Sequence, residues 1–174
     1  IDGIQLYFDG TGKQIKGERI LIDGKYYYFD KNSGELLRNA FHSFSSSYKL
    51  YFGNDGAQVF GWYTLDGHRV YFKEDGLQAK DKVLSIDDNY YYFNQDGQLL
   101  VNGSAKSYNS LYLADSEGKL LSGWREIDGK TYYLDPSEKH YYYNRTASID
   151  GKTYLFGSYA ELLRNDSNYA YASD

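Results

Sequence analysis

Large apolar and polar side chains alternate along this chain in short runs, and the runs return at a nearly constant interval. They close on Phe8, Phe29, Phe52, Phe72, Phe93, Leu113, Leu134 and Phe156, at spacings of 21, 23, 20, 21, 20, 21 and 22 residues. Two positions earlier stand Leu6, Tyr27, Leu50, Val70, Tyr91, Leu111, Tyr132 and Tyr154. Side chains alternate across a strand, so these two columns share one face. That face is large and apolar throughout and is assigned to the core. The opposite face carries Tyr7, Tyr28, Tyr51, Tyr71, Tyr92, Tyr112 and Tyr133, with Leu155 in the last unit. Its neighbours on that face are mostly polar: Gln5, Tyr26, Lys49, Arg69, Tyr90, Ser110, Thr131 and Thr153. An alternation of period two predicts short strands. A period near 21 over eight units predicts stacked modules, each too small to stand alone, in place of one central core.

Turn residues punctuate the runs. Ile1-Asp2-Gly3, Ile22-Asp23-Gly24, Ile127-Asp128-Gly129 and Ile149-Asp150-Gly151 precede an aromatic strand, with Leu65-Asp66-Gly67 and Ile86-Asp87-Asp88 as variants. A second turn follows each strand, at Gly12, Gly34, Gly56, Gly76, Gly97 and Gly118, and leads to a shorter apolar stretch such as Leu36-Leu37, Val59-Phe60, Leu99-Leu100, Leu120-Leu121 or Leu162-Leu163. Strand, glycine turn, strand reads as a β-hairpin. The expected fold is all-β, a β-hairpin solenoid of about eight repeats of roughly 21 residues, with residues 1–174 forming a single repeat array. Two stretches break the pattern. Phe41 to Ser47 replaces an Ile-Asp-Gly turn and lengthens its unit. Pro136 to Tyr143 lacks the second turn glycine. Irregular stacking and absent pockets are expected at both.

Composition narrows the function. The chain holds 22 Tyr, one Pro and neither Cys nor Met. Without Cys there is no disulfide framework and no thiolate metal site, and the usage suits Gram-positive export to the exterior or cell surface. A net charge of −5 with no basic block argues against nucleic acid as partner. No apolar run approaches the roughly 20 residues needed for membrane insertion. The opening residues do not read as a signal peptide; the chain opens in mid-repeat, as expected of a fragment of a larger protein whose targeting signals lie elsewhere. No phosphate loop, dinucleotide fingerprint or calcium repeat is present, so neither cofactor nor metal is expected. His42, His68 and His140 occupy different phases of the repeat and read as surface residues. Nothing converges as a catalytic acid, base or nucleophile. The triplets Asn102-Gly103-Ser104, Asn144-Arg145-Thr146 and Asn165-Asp166-Ser167 read as chance matches to the glycosylation pattern.

The tyrosine column has two readings. Its rings fill the seam between stacked hairpins, or they floor shallow pockets, since each combines an apolar body with a hydroxyl tip. Gly61-Trp62 and Gly123-Trp124 add a further signal. Counted from the turn glycine, the same position elsewhere holds Glu18, Ala40, Lys82 and Gly103. A tryptophan present in two units is not demanded by the scaffold, and both ligand stacking and core packing remain open for it. The best pockets are expected beside Trp62 and Trp124, each with a nearby cation.

The run from Gly123 to Asp135, together with Ile22 to Leu37 and Tyr51 to Phe72, resembles the cell-wall-binding repeats. That superfamily includes the glucan-binding domains of glucansucrases, choline-binding modules and clostridial toxin repeats. Ile22-Asp23-Gly24-Lys25-Tyr26-Tyr27-Tyr28-Phe29-Asp30 with Ser33-Gly34-Glu35-Leu36-Leu37-Arg38-Asn39 is most similar to the glucan-binding branch. Choline-binding repeats usually carry Trp in nearly every unit, because quaternary ammonium sits in an aromatic cage. The resemblance implies a non-catalytic domain that tethers a secreted or surface protein to α-glucan, with a choline, teichoic-acid or host-glycan binding array as the alternative. It also implies pocket residues. One set is Tyr132 or Tyr133, Arg125 and Lys130, in the unit of Trp124. The other is Tyr71, Tyr63 and Arg69, in the unit of Trp62 around Leu65-Asp66-Gly67-His68, where His stands in place of the usual Lys.

Overall fold

The computed structural model describes residues 4–107 and 110–165. The Ile1-Asp2-Gly3 copy and Asp166-Ser167 of the last triplet lie outside the described residues. Among the described residues there is no helix and there are fifteen strands. They are β1 (Arg19–Ile22), β2 (Lys25–Tyr28), β3 (Ala40–Ser43), β4 (Lys49–Phe52), β5 (Gly61–Leu65), β6 (His68–Phe72), β7 (Lys82–Ile86), β8 (Asn89–Phe93), β9 (Gly103–Ser107), β10 (Ser110–Ala114), β11 (Gly123–Ile127), β12 (Lys130–Leu134), β13 (Arg145–Ile149), β14 (Lys152–Phe156) and β15 (Leu162–Asn165). Consecutive strands pair antiparallel as seven hairpins, the last extended by β15. The fold is the all-β hairpin solenoid that the period predicts. It falls into two compact parts, Ile1–Ala79 and Lys80–Asp174.

The hairpins close over the Ile-Asp-Gly turns. Asp23 and Gly24 have φ of 47° and 80°, and Asp66 and Gly67 have 51° and 80°. Two positive φ values in a two-residue loop match the twist of the flanking strands. The expectation that each hairpin spans the second glycine turn is therefore corrected. Beyond that turn, pairing with the hairpin's own strand is a single bridge, as at Phe29↔Leu36, Phe52↔Gln58 and Phe93↔Leu99. The reason lies in the alternation of main-chain donors. Val59 N donates back to Tyr51 O at 2.9 Å, while Gln58 N donates to Tyr26 O of the preceding hairpin at 2.7 Å. Leu120 N to Tyr90 O and Tyr141 N to Leu111 O repeat the link at 2.8 and 2.9 Å. The short apolar stretch is thus a seam strand, shared between two hairpins.

Stacking decides the core. Phe52, Phe72 and Phe93 are fully buried, with Leu50 and Val70 beside them, and Phe29 and Tyr91 are also buried. Tyr27 is only half-buried, and Leu6 and Phe8 are exposed. Of the two readings of the tyrosine column, the seam reading holds at Tyr28, Tyr51 and Tyr92, which are 4%, 5% and 3% exposed. Tyr28 packs with Leu50 and Phe52 of the following hairpin, and Tyr51 with Val70 and Phe72. Both faces of β4 are thus covered, Phe52 against Tyr28 of the preceding hairpin and Tyr51 against Phe72 of the following one. The turn glycine completes the fit. A Cβ on Gly56 (φ +80°) would lie 2.6 Å from Leu36 Cδ2, so any other residue would have to displace Leu36 and hold a left-handed φ.

Two further expectations change. The closing residue of the fifth described hairpin is Ala114, not Leu113. Ala114 pairs with Gly103, bridges to Leu120 and is buried, whereas Leu113 lies opposite Ser104. Size misled, because a small side chain fills the place that Phe takes elsewhere. The Pro136 to Tyr143 segment is regular. Lys139 adopts φ +61° where the equivalent loop has Gly34 at +75°. Lys139 N donates to Asp135 O as Gly34 N donates to Asp30 O, each at 2.9 Å. The Asp135 and Asp30 carboxylates each accept two amide hydrogens inside their loops. Tyr141 bridges to Leu134 and is buried. The Phe41 to Ser47 lengthening takes the form of a five-residue loop between β3 and β4, closed by Phe44 N to Tyr48 O at 2.9 Å, and the strand register stays continuous.

Phe72→Ala should lower the free energy of unfolding by about 3–5 kcal/mol, and an unchanged urea midpoint would contradict the stacked core. The turn at Asp87-Asp88 carries φ of 48° and 60° without a glycine. Asp88→Gly should therefore stabilise the protein by roughly 0.5 kcal/mol, the relief of a left-handed Asp less the entropy of a free Gly, visible as a higher Tm.

Candidate functional site

Strand register decides what surrounds the two tryptophans. Trp62 lies opposite Tyr71 and Trp124 opposite Tyr133. The rings meet edge to face at 5.2 and 4.9 Å. Both indoles are half-buried. In the other hairpins that position holds Arg19, Phe41, Val83, Ser104 and Thr146. Counting from the turn glycine is thus off by one residue. Gly61 and Gly123 take left-handed φ and pair directly with Phe72 and Leu134, whereas Asn39, Asp81, Asn102 and Asn144 take it one residue before the strand begins. In the two tryptophan hairpins the segment from the turn glycine to the first paired residue is one residue shorter, Gly56 to Gly61 and Gly118 to Gly123 against Gly34 to Ala40 and Gly76 to Lys82, and this brings Trp opposite the tyrosine column.

Around Trp62 the alternation places Arg69 and Tyr71 on the same face. The Arg69 guanidinium carbon lies 4.3 Å from the indole centre, and Arg69 is otherwise exposed. Tyr63 points to the other side of the hairpin, with its ring 5.6 Å from Tyr51. The structure brings Trp62, Arg69 and Tyr71 together on one face and turns Tyr63 to the other, although Trp62 and Tyr63 both line one groove. Around Trp124 the neighbours are aromatic: Tyr154 at 4.7 Å and Phe156 at 6.0 Å from the next hairpin. Tyr133 continues the cluster to Tyr142 at 5.2 Å. Arg125, Tyr132 and Lys130 lie on the opposite face. Arg125 pairs with Tyr132 and Lys130 with Ile127, and the Tyr132 ring meets Tyr141 at 5.5 Å. Arg125 Nη1 donates to the Trp124 carbonyl at 2.7 Å. The second expected set is therefore split across two faces.

The surface between hairpins is grooved. One groove of about 590 Å³ runs past Lys25, Asp55, Gln58, Phe60 and Trp62. The Lys25 ammonium lies 3.3 Å from the Asp55 carboxylate. Two further grooves, of about 510 and 410 Å³, occupy equivalent places in successive-hairpin seams, one lined by Asn39, Tyr51 and Leu65, the other by Asp81, Tyr92 and Ser107. In the latter the Tyr92 and Ser107 hydroxyls both donate to Asp81 Oδ1, at 3.2 and 2.8 Å. Burial pushes the Tyr92 phenol above its ordinary range. These grooves were missed at the sequence level. Their signal is the recurring Asn or Asp ahead of the first strand, a left-handed position that those residues tolerate.

Two polar details complete the picture. The Tyr142 hydroxyl donates to Asp135 Oδ2 at 2.6 Å. That bond, with burial, pushes Tyr142 up to about 12. Burial works to raise Asp135, but the Tyr142, Glu138 and Ser137 donors outweigh it and hold the carboxyl below its usual range. His42 is not a plain surface residue. Its ring stacks on Tyr28 at 3.6 Å, and burial lowers its pKa. Among the described residues no group of three or more His, Asp or Glu is placed to hold a metal ion. Chemically, the site is a set of ring ledges with guanidinium, amide and hydroxyl groups at their rims, an arrangement that suits binding through stacking and hydrogen bonds.

The model of the choline-binding repeat matches residues 1–41 and 59–104, and that of a putative cell wall binding repeat matches residues 122–139. The chain belongs to this family of cell-wall-binding repeats. It is 40% identical over 136 residues to glucosyltransferase-S of Streptococcus mutans, which covers 77% of this chain and 9% of that protein. It is 29% identical over 154 residues to glucosyltransferase-I of Streptococcus downei, covering 88% and 7%. The chain thus spans less than a tenth of the length of either. Among solved structures, choline-binding protein F of Streptococcus pneumoniae superposes with a TM-score of 0.72 at 22% identity, over 94% of this chain and 56% of that one. The choline-binding domain of CbpL from the same species gives 0.64 at 26%, over 93% and 83%. This repeat domain is accordingly a carbohydrate- or cell-wall-binding module. Among its described residues no helix is long and apolar enough to cross a membrane.

Tyrosinate formation reports the Tyr142–Asp135 pair. The folded pKa of Tyr142 lies above its unfolded value near 10. Its contribution to stability is therefore complete below pH 10 and lost as pH rises toward 12. An alkaline spectrophotometric titration should show late-ionising tyrosines in the folded protein, one fewer in Tyr142→Phe. Ionisation of every tyrosine near pH 10 while the β spectrum persists would contradict the pair.

Proposed function

We propose that this domain tethers a secreted or cell-surface protein to α-glucan. The observation that carries the reading is the repeated cross-strand pair, Trp62 with Tyr71 and Trp124 with Tyr133. Each is a half-buried ring ledge on a hairpin that the scaffold builds equally well without Trp. Sugar CH faces stack on such rings, and hydroxyls meet donors at the rim. Arg69 serves the first ledge. Arg125, Lys130 and Tyr132 serve the far face of the second hairpin, and Tyr63 faces the groove past Gln58 and Phe60. The similarity to two streptococcal glucosyltransferases supports glucose polymers as the ligand class. Residues 1–174 act as a single array in this reading. Each site is weak, and simultaneous engagement of several raises avidity by about 10²–10⁴ where geometry permits.

A second reading, binding of choline-decorated teichoic acid, is favoured by the choline-binding repeat match over residues 1–41 and 59–104. Retardation in a dextran-containing gel, set against retention on a choline resin, separates the two. Dextran retardation without choline retention is the expected result. The double variant Trp62→Ala, Trp124→Ala should lose most of the retardation while keeping its β spectrum, and each single variant should lose part. Unchanged retardation of the double variant would place the binding surface elsewhere, and choline retention alone would replace the first reading with the second.

A further inference from the structure

The two tryptophan ledges are built alike and finished differently. On β5–β6, Trp62 and Arg69 are diagonal neighbours on one face: Trp62 stands opposite Tyr71, and Arg69 opposite Thr64. The guanidinium lies 4.3 Å from the indole centre. On β11–β12, the residue diagonal to Trp124 is Thr131, opposite Glu126. On β1–β2 the same diagonal holds the same two chemistries exchanged. Arg19 occupies the place of Trp62 and Tyr26 that of Arg69, and the guanidinium again lies 4.3 Å from the ring centre. The strand geometry makes this spot a cation–π position, and the chain itself supplies the cation in two of the three hairpins.

We propose that Arg69 is a specificity-determining residue that occupies the face of Trp62 and closes it to organic cations. An aromatic face is the feature by which a protein takes up a quaternary ammonium group. A tethered guanidinium holds that face at a high effective concentration. It excludes a second cation twice over, by volume and by like charge. The same guanidinium keeps its N–H donors at the rim, where they meet neutral, hydroxyl-rich ligands. Arg69 therefore turns a ring that would accept an ammonium group into one that favours a polyol. The exclusion holds whichever sugar the domain takes, so it stands apart from the glucan reading.

The test uses the whole chain and tetramethylammonium chloride as probe, with sodium chloride at equal ionic strength as control. The readout is the two indole N–H resonances, assigned with Trp124→Phe. In the unaltered protein the Trp62 resonance should not respond saturably to the probe. The Arg69 side-chain protons should be shifted upfield by the ring current of the indole. In Arg69→Thr, which copies the residue found beside Trp124, the Trp62 resonance should respond saturably. The apparent affinity should rise at least about tenfold, equivalent to about 1.4 kcal/mol. Arg69→Gln, which keeps the length of the side chain and removes its charge, should respond in the same way. Arg69 is exposed, so both variants should keep the parent β spectrum. A saturable response with Arg69 in place, or none in both variants, would overturn the proposal. So would unshifted Arg69 protons in the unaltered protein, a reading that needs no variant.

Discussion

Within each compact part the structure depends on the covering of one hairpin by the next. A two-stranded hairpin of four or five residues per strand cannot bury its own side chains. Here the closing Phe of one hairpin and the tyrosine before it are enclosed from opposite sides, and the seam strand that follows is shared between neighbours. Gln58 N reaches Tyr26 O while Val59 N reaches Tyr51 O, so one short segment fastens two hairpins with alternate donors. The turn glycine lies against the seam residue of the preceding unit, Gly56 on Leu36 and Gly118 on Leu99. Within each of the two compact parts the hairpins are therefore held by contacts with their neighbours in sequence, as in other repeat arrays.

Function grows out of the same arrangement. Because the scaffold needs only the closing residue, the large side chain before it (Tyr, or Leu at Leu113 and Leu155) and the seam, the position opposite that side chain is free to vary. Arg19, Phe41, Trp62, Val83, Ser104, Trp124 and Thr146 occupy it in turn. Two of these are tryptophans, and their surroundings already diverge. Both meet a cross-strand tyrosine, Tyr71 or Tyr133, and they differ at the diagonal residue, which is Arg69 over Trp62 and Thr131 beside Trp124. A repeat protein can in this way hold one fold constant while each unit acquires its own binding character.

The regularity of the Pro136 to Tyr143 segment shows how far the scaffold tolerates a poor local fit. Lys139 is held at a positive φ that glycine adopts more readily, and Ala160 does the same at +65°. Burial of Tyr141 and the Asp135–Tyr142 hydrogen bond accompany the strained residue. Turn chemistry guides the fold, and stacking overrides it where a unit departs from the rule.

The sequence by itself determined the period, the all-β class, the location of the Asp-Gly turns, most of the closing residues and the family. Each of these is a local property, expressed as residue type at fixed spacing, and it survives without knowledge of neighbours. Only the tertiary structure decided that the tyrosine column is core at Tyr28, Tyr51 and Tyr92, because a strand in a stack is covered on both faces and alternation alone reveals one. It decided that Ala114 closes its hairpin, since burial there is set by the opposing Gly103 and not by side-chain size. It decided which candidate residues share a face. Trp62, Arg69 and Tyr71 meet, whereas Arg125, Lys130 and Tyr132 turn away from Trp124. That outcome rests on strand register, and a one-residue change in register carries every side chain to the other side of the sheet.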